Sequence, residues 1–280
     1  MMYRLPIGKY VELGVDWLTD NLSPFFDAIK DAFLFVINKF EFIYVGIPFI
    51  IMLFIIGALA FLTAGKKTAL FTVAGALVIK SMELWELTMK TFALVTTATV
   101  IALAIGIPLG ILMSRSNKLN KVMRPILDFM QTMPAFVYLI PAVYFFDLGP
   151  VPGAVATVIF AMPPIVRLTS LGIRQVPKEV IEASRAFGCT PGQMLFKVQI
   201  PLAKPTILAG LNQTIMLSLS MVVISSMIGS GGLGDIVLKG ITQMKIGVGF
   251  EGGLAVVILA MILDRITQSI GKPKSKRREV

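Results

Sequence analysis

Charge-free stretches alternate with short segments rich in lysine and arginine along most of this chain. A helix needs about 20 apolar residues to cross the hydrocarbon core of a bilayer. The pattern therefore predicts seven spans, at residues 42–65, 68–82, 91–114, 129–146, 148–166, 205–234 and 246–263. The run 68–82 is the weakest, because it spans only if the Lys80 ammonium extends to the interface.

Residues 1–41 are predicted to form an amphipathic arm, outside or at the membrane interface, rather than a further span. Ser23 and Pro24 have the character of a helix start. An apolar stripe then lies opposite Asp27, Lys30 and Asp31 at helical spacing. The stripe consists of Phe25, Phe26, Ile29, Phe33, Val36, Ile37 and Phe40. Such a helix lies in the lipid interface or packs flat on neighbouring spans, and the sequence leaves both open.

Composition places the chain among integral membrane proteins. Of its 280 residues, 56% are hydrophobic and only 15% are charged, an excess that a soluble core would not need. The opening MMYRLPIGKYVELGVDWLTD has no apolar signal-peptide core, so no cleavage is expected. Because Cys189 is the only cysteine and there is no histidine, a zinc site and a histidine-based triad are effectively excluded.

The distribution of basic residues predicts the orientation. Membrane proteins concentrate lysine and arginine on cytoplasmic loops. If segments 66–67, 115–124, 167–204 and the tail from residue 264 are cytoplasmic, 18 of the 26 basic residues lie inside. The N-terminus is then outside, and the basic tail 271–280 is cytoplasmic. The net charge of +10 follows this topology, so we expect no nucleic-acid partner.

Residues 177–201, PKEVIEASRAFGCTPGQMLFKVQIP, form the long charge-bearing segment of the hydrophobic second half. Pro177 and Gly188 bracket a helix of about three turns. Thr190 and Gln193 then have the spacing of a capping box for a second short helix. Pro201 disfavours helix at the preceding residue and is expected to close the unit. Shape alone fits an ordinary cytoplasmic loop equally well.

This segment resembles a loop shared by the permease subunits of ABC importers. The family pattern is EAA, three residues, G, nine residues, I, one residue, LP. The chain has Glu182, Ala183, Ser184, Gly188, Val198, Ile200 and Pro201 at these spacings, with mild departures at Ser184, Val198 and Ile200. The resemblance implies an all-α integral membrane fold, the type I importer transmembrane domain, with its core at 91–270 and two peripheral spans at 42–90.

Three further segments look like permeases for glycine betaine and proline betaine: DFMQTMPAFVYLIPA, FAMPPIVRLTSLGIRQVP and SLSMVVISSMIG. The resemblance implies a prokaryotic cell membrane location and a second copy of the chain around a central cavity. It also implies an extracytoplasmic binding protein and two separate ATPase subunits, which bind ATP and magnesium. The alternatives are a permease for choline, carnitine or an amino acid, or, in a different class, an ATPase-independent channel or scaffold.

The resemblance also implies that the ATPase docks on the 177–201 loop. The candidate coupling residues are Glu182, Ala183, Ser184, Arg185, Phe187 and Gly188. Small Ala183 and Gly188 permit close approach, and Phe187 can bury in a cleft. Glu182 and Arg185 can fix the docking register.

The candidate pathway residues are polar or lie beside prolines within apolar runs. They are Gln131, Thr132, Met133, Pro134, Asn212, Gln213, Ser218 and Met221. Proline frees a backbone carbonyl, which is tolerated in a membrane where neighbours or a water-lined cavity satisfy it. Interhelical hydrogen bonds explain the polar residues equally well. The family likeness places an outer gate at Gly231, Gly232 and Gly234, which are expected to form a flexible external turn.

Other motifs are weaker. No Walker pattern is present, and GSGGLG at 229–234 follows a hydrophobic helix rather than a strand, so no nucleotide site, catalytic residue, metal or cofactor is expected in this chain. Gly106 and Gly110 form a GxxxG pair, which suits close helix packing or simple tolerance of small residues. Charged residues at the ends of spans, such as Asp264, can extend their side chains to the membrane interface, so they require no functional explanation. No charge lies in the middle of a long span, which argues against a proton-coupled or sodium-coupled carrier.

Overall fold

The structure is a computed structural model that describes residues 7–271, and all regular elements in this range are helical. In chain order they are α1 (Ile7–Gly46), α2 (Phe49–Ala64), α3 (Lys66–Ser81), α4 (Trp85–Arg115), α5 (Asn117–Thr132), α6 (Ala135–Phe146), α7 (Pro150–Arg174), α8 (Lys178–Ala186), α9 (Pro191–Gln193), a π-helical segment (Met194–Gln199), α10 (Ile200–Ser226), α11 (Leu233–Thr242) and α12 (Ile246–Gly271). The all-α fold expected from the sequence is confirmed.

Four helical stretches in the described range are long and apolar enough to cross a membrane: α4, α7, Pro191–Ser226 and α12. The count rises to six if each of two bent pairs forms one span, α1 with α2 and α5 with α6. The sequence prediction of about seven is higher because it treats 42–65 and 68–82 as separate full spans, whereas α2 and α3 have only 16 residues each.

Two predicted spans are broken at proline. The run 42–65 is divided before α2 and the run 129–146 before α6, with bends of 103° and 96°. Pro48 and Pro134 cap the helices that follow, and Met133 before Pro134 is extended, with ψ 136°. Proline disfavours a helical conformation at the residue before it, so the chain turns at these points instead of continuing straight.

The N-terminal arm is one kinked helix that packs on the protein. It does not start at Ser23 as predicted, because α1 runs through this position with a non-helical residue at Leu22 and Pro24 inside the helix. Phe26 stacks on Phe145 with ring centroids 4.2 Å apart, and the Lys30 ammonium lies 2.7 Å from the Asp147 carboxylate.

The predicted apolar stripe of the arm faces the protein core. Ile37 is buried in a cluster with Leu94 of α4 and Val151 of α7, and Phe26, Ile29 and Phe33 pack against the same cluster. Of the two alternatives left open by the sequence, packing on neighbouring helices therefore applies to this face. Phe25, at the edge of the stripe, is 58% exposed and lies outside the contact.

Helix α7 is the centre of the core, and small residues allow α4 and α10 to approach it closely. A Cβ atom added at Gly110 of α4 would lie 2.7 Å from the carbonyl oxygen of Val166, and one at Gly106 would lie 2.6 Å from Ile165. On the other side, a Cβ at Gly210 of α10 would lie 3.2 Å from the backbone of Ile165. Gly106 and Gly110 therefore serve close helix packing, and simple tolerance of small residues in a membrane is not needed to explain them.

Helices α2 and α3 lie beside this core and pack on α12. Ala60 of α2, Ile79 of α3 and Ile258 and Ile262 of α12 are buried in one apolar cluster. A Cβ atom added at Gly75 of α3 would lie 2.6 Å from Ile258, so glycine is needed for this approach.

Candidate functional site

The 177–201 segment forms the two-part unit that its sequence predicts. Pro177 caps α8, and Gly188 after the helix has φ +77°, a left-handed conformation that glycine adopts without steric cost. At the start of α9, the Thr190 hydroxyl accepts from the Gln193 amide and the Gln193 side chain accepts from the Thr190 amide, completing the capping box. The bend between α8 and α9 is therefore fixed by local hydrogen bonds.

The predicted end of the 177–201 segment at Pro201 is wrong. Pro201 does not close the helix, because Ile200 is helical, with φ −62° and ψ −46°, and the chain runs without a break from Pro191 to Ser226. The π-helical segment Met194–Gln199 precedes the proline, and the Ile200 amide donates to the Leu195 carbonyl five residues back. This wider turn accommodates a proline whose ring would clash with the i−4 carbonyl of a regular α-helix.

The outer face of α8 is exposed. None of its residues is buried, and the Phe187 side chain that follows is 90% exposed. Glu182, Ala183 and Arg185 are exposed, and half-buried Ser184 donates to the Val180 carbonyl at 2.7 Å. The candidate coupling residues thus lie together on a protruding and largely uncovered surface.

The inner side of the same unit is fixed to the transmembrane helices. Leu195 is buried in a cluster with Ile173 of α7 and Ala203 of α10. Arg115, at the end of α4, donates from Nη2 to the Pro191 carbonyl at 3.2 Å. A displacement of the loop therefore displaces helix ends of the core.

Arg174 at the end of α7 also links the helices of the core, and neither Arg115 nor Arg174 is among the candidate residues predicted from the sequence. The Arg174 guanidinium donates to the Met113 carbonyl at 2.6 Å and to Asn117 Oδ1 at 2.8 Å. The signal in the sequence was a basic residue in the last turn of a helix, where it can bind orphan carbonyl groups.

The first half of the candidate pathway set lies at the break between α5 and α6. Gln131 and Met133 are half-buried, and Thr132 and Pro134 are exposed. Met133 packs on the cluster that contains Met221. The break brings this polar corner against α10.

The second half of the set divides into accessible and buried residues. Asn212 and Gln213 of α10 line a cavity beside α12. Ser218 and Met221 are buried instead, with 1% and 0% exposure. Ser218 donates within its own helix to the Thr214 carbonyl. Only Asn212 and Gln213 of these four therefore reach open space in the described chain.

The glycine-rich exit is closely packed at Gly232 and Gly234. Gly231 and Gly232 have φ +78° and +80°, and the Leu233 amide donates to the Thr91 hydroxyl at 2.8 Å. A Cβ atom at Gly232 would lie 2.5 Å from Thr91 Oγ1, and one at Gly234 would overlap the Val222 carbonyl. Close approach therefore explains Gly232 and Gly234, whereas a Cβ atom at Gly231 would meet nothing within 4 Å. The outer gate at this turn stays a prediction.

Comparison with known proteins agrees with this architecture. Residues 102–272 match the family model described as "Binding-protein-dependent transport system inner membrane component". The chain is similar to the inward-facing MetNI methionine ABC transporter, with a TM-score of 0.58 and 25% identity, over 65% of this chain and 91% of that one.

Two relatives are similar over almost their whole length. The glycine betaine transport system permease protein OpuAB of Bacillus subtilis is 50% identical over 275 residues, 98% of this chain and 97% of the relative. The glycine betaine/carnitine transport permease protein GbuB of Listeria monocytogenes is 49% identical over 272 residues, 96% of each chain. The chain therefore belongs to the family of binding-protein-dependent transport system inner membrane components, as a permease subunit of an ABC importer.

Proposed function

We propose that this chain is the membrane permease of an ATP-driven importer for glycine betaine or a related quaternary-ammonium osmoprotectant. The observation that carries the proposal is the 177–201 loop, which is uncovered on its outer face and braced to α4, α7 and α10 on its inner face. A surface of this kind suits a partner that delivers mechanical work. The similarity to glycine betaine permeases supports the substrate.

Membership of the family implies an ATPase and a binding protein as partners. We infer a complex in which two copies of the chain pair around a central pathway and each docks one ATPase subunit. Glu182 and Arg185 set the docking register, and Phe187 enters a cleft of the ATPase. Gly188 permits the bend between α8 and α9 that gives the loop its shape.

The chain is a multi-pass protein of the inner membrane. We propose that its N-terminus is outside and its C-terminus cytoplasmic, which the excess of basic residues on one side supports. The 177–201 loop is then cytoplasmic, where ATP is available, and the glycine turn at 229–234 is outside.

The test is reconstitution of the chain with its ATPase and binding protein in liposomes and measurement of radiolabelled betaine uptake under osmotic upshift. We expect uptake that requires ATP and the binding protein. Uptake of an amino acid but of no quaternary-ammonium solute would overturn the proposed substrate class, and uptake of carnitine or choline without betaine would overturn glycine betaine as the substrate within that class. An ATPase that fails to co-purify in equal number would overturn the importer itself and favour a channel or scaffold.

Substrate selection is expected to lie mainly in the binding protein. The Asn212 and Gln213 amides line an open cavity rather than an enclosed aromatic cage, so the permease should bind substrate weakly. Micromolar binding of betaine to the purified permease alone would contradict this division of roles.

A further inference from the structure

A cavity of about 390 Å³ with both polar and apolar walls lies between α10 and α12. Its wall consists of Pro205, Leu208, Ala209, Asn212, Gln213, Thr267 and Gln268. Three carboxamides, one hydroxyl and three apolar side chains thus line the same cavity. This mixture suits a small solute that has both methyl groups and charge.

Asp264 lies directly behind the polar wall and orients two of its amides. Its Oδ1 atom accepts from Asn212 Nδ2 at 3.0 Å and from Gln268 Nε2 at 2.7 Å. Thr267 Oγ1 donates to Asn212 Oδ1 at 2.6 Å. Because both amide nitrogens are directed to the carboxylate, Gln268 presents its oxygen elsewhere, and within the described residues that oxygen accepts no hydrogen bond.

The charge of Asp264 has no basic partner in the described part of the chain. The ion pairs there involve Lys30, Lys90 and Arg167 instead. Arg265 is adjacent in sequence but exposed, about 100° around the helix. Lys204, also exposed, makes no ion pair with the carboxylate. The prediction that Asp264 only reaches the interface is therefore incomplete, because its half-buried carboxylate accepts hydrogen bonds from two side-chain amides.

We propose that this cavity is a low-affinity site for a quaternary ammonium group in the inner half of the pathway, with Asp264 as the positioning residue that supplies its negative potential. The inference rests on the proposed function and names the part of the pathway that recognises the cation. A trimethylammonium group has no N–H to donate, so methyl contacts and a negative field must hold it. Pro205, Leu208 and Ala209 supply the contacts, and the carboxylate and amide oxygens supply the field.

The test measures the local potential with thiol reagents of opposite charge. A reporter cysteine is introduced as Ala209→Cys in a Cys189→Ser chain within the complete importer. Its rates of modification are measured with methanethiosulfonates that carry a trimethylammonium or a sulfonate group. We expect the ratio of cationic to anionic rates to exceed that of a free small thiol, and Asp264→Asn to lower it about tenfold. Asp264→Glu should retain it.

The matched control is Ser220→Cys, which lies on the same helix and is also exposed. It is about 12 Å along the axis from Asn212, which binds Asp264, or about one and a half Debye lengths at physiological salt, whereas Ala209 is about 4.5 Å from Asn212 along the axis. Asp264→Asn should leave the ratio at this position unchanged. An equal fall at both positions would indicate a general structural effect and overturn the assignment.

A second measurement needs no Asp264 variant and so remains decisive if Asp264→Asn fails to fold. If the Ala209→Cys ratio in the Cys189→Ser importer that retains Asp264 equals that of the free thiol, the cavity has no negative potential and the proposal is overturned. Protection by millimolar tetramethylammonium, but not by glycerol, supports it. Protection in an importer that takes up no quaternary-ammonium solute would support the site while overturning the proposed function.

Discussion

Arg115 at the end of α4 donates a hydrogen bond to the Pro191 carbonyl at the start of α9, 76 positions further along the chain. The bond joins the first long helix of the core to the loop on which the ATPase is proposed to dock. We expect Arg115→Ala to lower ATP-driven uptake about 2–5-fold. The expected size follows from the loss of one hydrogen bond of a charged group at an exposed site, about 0.5–1 kcal/mol.

The control for this change is Arg124→Ala. Arg124 is also exposed, and its side chain makes no hydrogen bond within the described residues. Uptake by this variant should match that of the original chain. Equal losses in the two variants would mean that positive charge on the inner surface matters and that the Pro191 contact does not.

Gly188→Val should abolish transport while the helices remain inserted. The left-handed backbone at this position, φ +77°, is costly for any side chain and most costly for a β-branched one, by about 1–2 kcal/mol or more. The change therefore reshapes the bend between α8 and α9. Uptake and the amount of co-purified ATPase are the measurements, with membrane insertion assayed in parallel.

Gly192→Val provides the comparison, because a Cβ atom there meets nothing within 4 Å and its φ is not positive. It should retain most of the uptake. If Gly188→Val transports normally, the glycine bend has no part in coupling.

Phe187→Ala should weaken binding of the ATPase without changing the thermal stability of the permease. A side chain that is 90% exposed contributes little to folding of the chain alone, so the melting temperature of the purified permease should not change. The yield of bound ATPase should fall severalfold. Phe42→Ala, at a position 79% exposed on the N-terminal arm, should affect neither quantity. A normal ATPase yield with Phe187→Ala would exclude this side chain from the interface.

Gly232→Ala and Gly231→Ala distinguish contact from backbone strain at the outer turn. Both glycines have positive φ, but only at Gly232 would a Cβ atom approach Thr91 Oγ1, at 2.5 Å. Gly232→Ala should therefore lower thermal stability more than Gly231→Ala, by about 1–3 kcal/mol. Equal effects in thermal unfolding would show that strain alone explains the glycines.

Local signals in the sequence predicted local structure well. Thr190 and Gln193 had the spacing of a capping box, and Gly188 was placed just past a helix end, because both features depend on neighbouring residues alone. The Gly106 and Gly110 pair indicated a close helix contact. The stripe on the arm likewise predicted which face would be covered.

Features that depend on distant parts of the chain were missed. The sequence predicts that Pro201 stops a helix, but the π-helical segment before it lets the helix continue through the proline. Asp264 is 52 positions from Asn212, so neither periodicity nor spacing could show that the two side chains meet. The sequence predicts about seven spans where the described helices give four to six, because apolar composition does not reveal that α2 and α3 have only 16 residues each.

The uninterrupted helical run from Pro191 to Ser226 has a mechanical consequence. Its 36 residues form a rod of roughly 50 Å, which starts at the bend beside the proposed ATPase surface and ends at the glycine turn. A tilt of about 5° at one end of such a rod moves the other end by about 4 Å. A loop movement that tilts this helix as a whole would therefore reach the glycine turn directly, through a single element.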